Sequence, residues 1–427
     1  MQSLVFALLA LCSFAALAQT PLTLAEAQRR AVDRSRQLNA QDLAIGASRE
    51  LAVAAGQLPD PVLRLQLQNV PIEGQDRWSL NADPMTMRSI GVMQEWTRSE
   101  KRGLKRERYE REAEKTEAEK RATIAAIQRN TALAWLDVYY AQAMVETIRQ
   151  QAAASQLEIG AAESAYRAGR ASQADVLGAH GARVALEDRA SELGRGVRSA
   201  RVTLARWVGG GEEAALAARP DISAMHLHGA AIEHQISQHP DVEILRRQED
   251  VARTEAKLAS ANRTPDWTFE VMYNNRASQF GDMATVGVSV PLQIFHKDRQ
   301  DRELSAKLAA VEQARAEREE MERNHTAEVR AMVEEWHDGL DRLKRYEREL
   351  LPLARERTQA SLSAYQGGKA TSTELLMARR NEIEVRMQAL QLERDTARLW
   401  AQLEYLIPDE RVLPASFLTT SNAKETP

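Results

Sequence analysis

The chain has 427 residues, and its 57 basic and 61 acidic side chains leave a formal net charge of only −4, a balance that offers no basic patch to a nucleic acid. Its single cysteine, Cys12, lies in the leading segment, so the remainder holds neither a disulfide nor a thiolate metal site. Aromatic residues make up only 5%, while Ala, Glu, Arg, Leu and Gln abound, which is the composition of long helices and coiled coils rather than of a large mixed core.

Met1 to Thr20 carry no charged side chain. The apolar run Leu4–Ala18 ends on Ala16-Leu17-Ala18, a small-x-small pattern, and residues 1–18 read as a secretory signal peptide although no Lys or Arg precedes the run. Beyond Thr20 no apolar stretch approaches the roughly 20 residues of a helical span. A crossing of the membrane by this chain therefore has to be made as a closed barrel, the other structure that satisfies its backbone in lipid.

A helical stretch then leads to Pro59-Asp60, and alternation follows. In Val62–Val70, Leu63, Leu65 and Leu67 face one way, and Arg64, Gln66 and Gln68 the other. Arg88–Trp96 alternates more weakly, with Ile90 and Val92 before Gln94. From Thr97 to Arg167 there is no proline, and Gly103 and Gly160 are the only glycines. At about 1.5 Å per residue such a helix reaches roughly 100 Å, too long for an ordinary globular domain. Its charge runs, such as Lys101–Arg121, read as a solvated face.

The pattern then repeats about 200 residues on. Tyr166, Gly169, Arg170, Ser172, Asp175 and Leu177 align without a gap on Tyr365, Gly368, Lys369, Thr371, Glu374 and Leu376. Pro265-Asp266 precedes two further alternating segments, Trp267–Asn274 and Ala284–Leu292, and Val286-Gly287-Val288 echoes Ile90-Gly91-Val92. A second long helix, Asp298–Gln366, is interrupted by Pro352 alone. Each repeat thus reads helix, β-hairpin, very long helix, turn, helix. The strands have the length of tilted membrane strands, and Trp96, Trp267 and Tyr273 sit near their ends, as in an interfacial girdle. Four strands do not close a barrel, since the smallest have about eight. Three copies supply twelve.

In the two turns, Gly169 and Gly368 suit helix stops with a positive backbone angle. Ser172, and Thr371 or Ser372, suit N-caps of the returning helices, with Asp175 and Glu374 in the first turn where a carboxylate favours the helix dipole. Two groups suggest metal. Met85 and Met87 fall in the loop between the first two strands, and thioether sulfur suits Cu(I). His226, His228, His234 and His239 cluster between the repeats, although His239-Pro240 also reads as a plain helix start. No Walker loop, HExxH or nucleophile elbow is present, so the chain is not expected to be an enzyme or to carry a cofactor.

The duplicated Tyr-x-x-Gly-x-x-(Ser/Thr)-x-x-(Asp/Glu)-(Val/Leu)-Leu turns, together with the Pro-Asp strand starts and the order of elements, resemble the TolC-type outer-membrane factor family. The resemblance implies a mainly α fold with a β-barrel portion. Three protomers would form a twelve-stranded outer-membrane barrel on a long α-helical coiled-coil barrel in the periplasm. It also implies an exit duct of a tripartite RND-type efflux system, working with a periplasmic adaptor and an inner-membrane pump. Asp175 and Glu374 would ring a periplasmic aperture, and Tyr166, Gly169, Arg170, Tyr365, Gly368 and Lys369 would form the adaptor-docking tips. The position three residues after each acid, often acidic in the family, holds Gly178 and Met377 here. Within the family Leu58-Pro-Asp-Pro61, Asn69-Val-Pro-Ile72 and Gly91-Val-Met-Gln94 look most like the heavy-metal (CzcC/CusC-like) group, which implies export of copper, silver, cobalt, zinc or cadmium cations. Drug, solvent or type I secretion is the alternative within the family, and a periplasmic coiled-coil scaffold or adaptor the alternative outside it.

The expected organisation is a first repeat over 19–207 with its hairpin at about 61–96 and tip at 166–175. An inter-repeat segment over 208–235 follows. The second repeat spans 236–407, with its hairpin at about 266–292 and tip at 365–374, before a polar, poorly ordered tail over 408–427.

Overall fold

A computed structural model describes residues 21–210, 215–225 and 239–413. The signal-peptide reading, His226, His228 and His234, and the tail beyond residue 413 lie outside the described residues.

The first repeat begins with two helices where the sequence suggests one, α1 (Leu24–Asp33) and α2 (Arg36–Ala55). The break is chemical. Thr23 caps α1, and Ser35, one residue past the C-cap of α1, accepts the amide of Leu38 at 3.4 Å and starts a new helix. Strands β1 (Val62–Gln68) and β2 (Met87–Trp96) follow, then α3 (Ser99–Arg167), 69 residues without interruption, and α4 (Gln173–Val208). The second repeat runs α5 (Pro240–Ala261), β3 (Trp267–Asn275), β4 (Met283–Ser289), α6 (Gln300–Arg345), α7 (Leu351–Gln366) and α8 (Ser372–Glu404). Strands β1 and β4 are shorter than expected, and Met87 opens β2 rather than lying in the loop before it.

Between α6 and α7, Tyr346–Leu350 form one π-helical turn in which the amide of Leu351 reaches the carbonyl of Tyr346. Proline at position 352 has no amide, and its ring crowds the carbonyl four residues back. Widening the preceding turn keeps the helix going instead of breaking it.

The four strands form one antiparallel sheet in the order β1-β2-β3-β4, so the two hairpins join through β2 and β3. The register aligns Leu63, Val92, Val271 and Val286 in one row and Leu65, Ile90, Tyr273 and Ala284 in the next. Trp96 faces Trp267 at the base. Gly91 is needed in this sheet, because a Cβ there would stand 2.4 Å from Cγ of Met272 and 2.7 Å from the carbonyl oxygen of Val271.

The main core lies at the waist of the helices. Trp135, Leu136 and Tyr140 of α3, Trp336 of α6 and Trp400 of α8 are buried there with Leu22 and Ile222. Two tryptophans 201 residues apart do the same job. The indole of Trp135 donates to the carbonyl of Leu22 at 3.0 Å, and that of Trp336 to the carbonyl of Ile222 at 3.1 Å. The start of the tail also packs here. Gln128 exchanges two 2.9 Å hydrogen bonds with the backbone of Asp409, and Leu413 lies against the cluster of Val32, Leu38 and Ile124. Residues 408–413 are therefore docked, against the expectation of poor order.

The charge runs are only partly a solvated face. Lys101 is buried and meets Asp266 at 2.8 Å, Glu255 lies between Arg108 and Lys307, and Arg318 meets the buried Glu249 at 2.9 Å. These pairs tie α3 and α6 to α5 and to the start of β3, so much of what reads as solvent-facing charge is contact between helices.

Candidate channel wall and tip turns

The rows of the sheet make two unlike faces. On one, Leu63, Leu65, Ile90, Val92, Val271 and Val286 are all about half exposed or more, with Val286 at 76%. The other carries Arg64, Gln66, Ser89, Glu270, Asn274 and Thr285. Arg64 bonds Glu270 at 3.1 Å, and Asn274 donates to the hydroxyl of Thr285 at 2.8 Å while accepting from Ser89 at 2.5 Å. A continuous apolar face drawn from both repeats, opposite a hydrogen-bonded polar one, is the pattern of a wall between lipid and water. Among the described residues both outer strands, β1 and β4, have a partner on one side only. Among the described residues no helix is long and apolar enough to cross a membrane.

The two tip turns are built identically. Gly169 and Gly368 each have φ of +70°. The amide of Arg170 reaches the carbonyl of Ala165 at 2.9 Å and that of Gly169 the carbonyl of Tyr166 at 2.9 Å. Lys369 and Gly368 do the same to Ala364 and Tyr365, at 2.8 and 3.1 Å. This is the Schellman arrangement, which needs a residue tolerant of positive φ at the glycine position. Each returning helix opens with a capping box. The carboxylate of Asp175 accepts the amide of Ser172 at 2.9 Å while the hydroxyl of Ser172 accepts the amide of Asp175 at 3.3 Å. Glu374 and Thr371 repeat it at 2.7 and 3.2 Å. Thr371, and not Ser372, is thus the second cap.

Ser372 is free for another task that sequence reasoning missed. Its hydroxyl donates to the second carboxylate oxygen of Asp175, joining the two turns within one protomer. That bond first, then those from the backbone and side chain of Ser172, hold the Asp175 carboxyl below the usual carboxylate range. Arg170, Lys369, Tyr166 and Glu374 are exposed at this end, while Tyr365 is half-buried and its hydroxyl has no partner among the described residues. The structure thus brings Asp175 to the second turn but leaves Glu374 facing solvent.

Met85 is exposed in the β1–β2 loop and Met87 is half-buried opposite Gln68, on the polar face of the sheet. Among the described residues no three or more His, Cys, Asp or Glu side chains gather as a metal site.

The outer membrane efflux protein family model matches residues 231–407. The match lies in the second repeat and covers less than half of the chain. No curated protein matches the chain at the level of sequence. Solved structures extend the likeness in fold to nearly its whole length. The outer-membrane channel OprN superposes with a TM-score of 0.76 at 18% identity, over 90% of this chain and 89% of its own. VceC from Vibrio cholerae gives 0.72 at 16%, over 90% and 96%. CusC, described in terms of transmembrane channel formation, gives 0.76 at 15%, over 91% and 93%. The fold is that of the TolC-like outer-membrane channels.

Proposed function

We infer that the protein is the outer-membrane exit duct of a tripartite efflux system, assembled as a homotrimer. The observation that carries this reading is the sheet, which has one apolar face, one polar face and, among the described residues, two unpaired edges. In lipid an open edge leaves backbone groups without partners, so the sheet has to close with further copies. Three copies give twelve strands, and the long helices continue the wall into the periplasm. Exposed Leu43, Leu51 and Val53 on α2, and Leu177, Val184 and Val202 on α4, are side chains that neighbouring copies would cover.

At the far end the tip turns are the docking surface for a periplasmic adaptor, coupled to an inner-membrane pump, and Glu374 with Asp175 forms the acidic aperture. Carboxylates brought around a narrow axis repel one another and attract cations. The cargo is a heavy-metal cation. That choice is supported by the cation-favouring aperture, by the thioether of Met87 on the inner face of the sheet and by that of Met85 at its rim. Drug or protein export through the same duct is the competing outcome.

The test is single-channel conductance of the purified protein in a planar bilayer, with and without Asp175→Ala plus Glu374→Ala. A small cation-selective conductance that grows and loses selectivity in the double variant supports duct and aperture together. A conducting particle indifferent to both substitutions reduces the two acids to helix caps. For the cargo, cells lacking the protein should become sensitive to copper or silver salts and not to hydrophobic drugs; the reverse pattern moves the assignment to drug efflux.

A further inference from the structure

The helices that lead into the two hairpins start at equivalent places with unlike chemistry. In the first repeat Ser35 caps α2, and Ile124 of α3, buried at 5% exposure, packs there with Val32, Leu38 and Ile127. In the second repeat the cap of α5 is His239. The long helices begin at Ser99 and Gln300 and carry Trp135 and Trp336, an offset of 201 in both cases, which places His325 where the first repeat has Ile124. A serine and an isoleucine have become two histidines.

The two rings lie 3.9 Å apart between centroids, tilted by 57°. His239 is only 4% exposed, and its Nδ1 accepts the amide of Asp241 at 3.2 Å. The Nε2 atoms of both rings are buried with no hydrogen-bond partner among the described residues. Accepting an amide at Nδ1 requires a lone pair there, so His239 caps its helix only as the neutral imidazole. Protonation turns the acceptor into a donor and sets N–H against N–H. It also puts a desolvated cation at the positive end of a helix dipole and beside a second imidazole.

The surrounding charges do not relieve this. His325 on α6 and Arg129 on α3 oppose a positive His239, and only Asp241, with its carboxylate 3.7 Å from Nδ1, favours one. Glu328 lies 3.6 Å from Nδ1 of His325, on α6. Burial above all, then His325, pushes the His239 imidazole down to about 4.

We propose that the His239–His325 pair is an acid-sensitive release built into the second repeat alone: neutral, it caps α5 and seats it on α6; protonated, it uncaps α5 and loosens that joint while the Ser35-capped first repeat stays shut. The direction follows from proton counting. Between the ordinary imidazole pKa and the depressed one, the open form binds more protons than the closed form. The joint is therefore fully closed above about pH 6.5, and its stability is lost as pH falls toward 4.

Hydrogen exchange on the full-length protein in detergent tests this, with rates corrected for the intrinsic pH dependence of exchange. The amides from Asp241 to Arg247 should lose protection by about twentyfold between pH 7 and pH 5, the ratio expected when a group titrates near 6.5 in the open form and near 4 in the closed. Those from Leu38 to Ile45 serve as the control within the same molecule and should not change. Parallel profiles for the two segments would overturn the proposal without any variant. His239→Ser, which installs the first repeat's cap, should flatten the α5 profile; a well-folded H239S protein that still loosens on acidification would also overturn it.

Discussion

The two repeats share a plan and differ in how firmly it is executed. The first sends one unbroken helix of 69 residues to its tip; the second covers the same path with α6, a π-turn and α7. The first starts its hairpin-bearing half with a serine cap on an apolar cluster, the second with a histidine cap on a histidine. Where the two are most alike, at the waist tryptophans and the tip turns, the shared residues satisfy buried or terminal backbone groups. Where they diverge, the second repeat has taken on features that yield, namely a widened helical turn and a titratable joint. A duplicated chain of this kind keeps its hydrogen-bonding anchors and varies its stiffness.

The anchors give the sharpest way to break that comparison. Trp135→Ala and Trp336→Ala each empty a buried site and remove an indole hydrogen bond, although the carbonyl of Leu22 still accepts the amide of Ala217 at 3.2 Å, and each should cost about 3–5 kcal/mol in thermal or denaturant unfolding. Equal losses support equivalent anchors, whereas a silent Trp336→Ala would make the second repeat's core dispensable. Trp135→Phe and Trp336→Phe keep most of the packing and isolate the hydrogen bond, at about 1–3 kcal/mol.

The paired sheet glycines separate next. Gly91→Ala meets Met272 and the backbone of Val271 and should destabilise by about 1–3 kcal/mol. Its counterpart Gly287→Ala has nothing nearer than 3.7 Å and should fold unchanged. Comparing yields of heat-stable oligomer for the two variants checks this, and a tolerant Gly91→Ala would show that the hairpins join differently.

The caps come last. Ser172→Ala and Thr371→Ala should each lower stability by about 1 kcal/mol, read as local exchange at the tips. Asp175→Asn should loosen both turns because it also weakens the bond from Ser372, while Glu374→Gln loosens only its own. The Asp175 carboxyl lies below its ordinary value, so its contribution is present above about pH 3.9 and is lost as pH falls through the depressed value. Acid should therefore free the tips well below the pH at which the α5 joint opens.

What was readable in the sequence follows the range of the interactions. The tip turns were legible because the glycine, the cap and the carboxylate that make them lie within ten residues of one another. The strands were legible because alternation is local and Gly91 and Gly287 mark equivalent places. The waist was not, because the partner of Trp135 is 113 residues away and that of Trp336 is 114 away, and each is a backbone carbonyl with no side-chain signature. A search for tryptophans at the repeat spacing would have found the pair. His325 was hidden for a related reason, since inside a charged helical run only the matching of Ile124 to it exposes the exchange. Ser372 was passed over as a spare cap because its true acceptor, Asp175, lies 197 residues away.

The central claim is that two unequal repeats supply four strands of a wall that only further copies can close. Native mass spectrometry of the detergent-solubilised protein tests it most directly. The account predicts a single species of three chains, migrating as an outer-membrane oligomer until heated. A monodisperse monomer, with the edges of β1 and β4 open to reaction as single-cysteine variants, would contradict it.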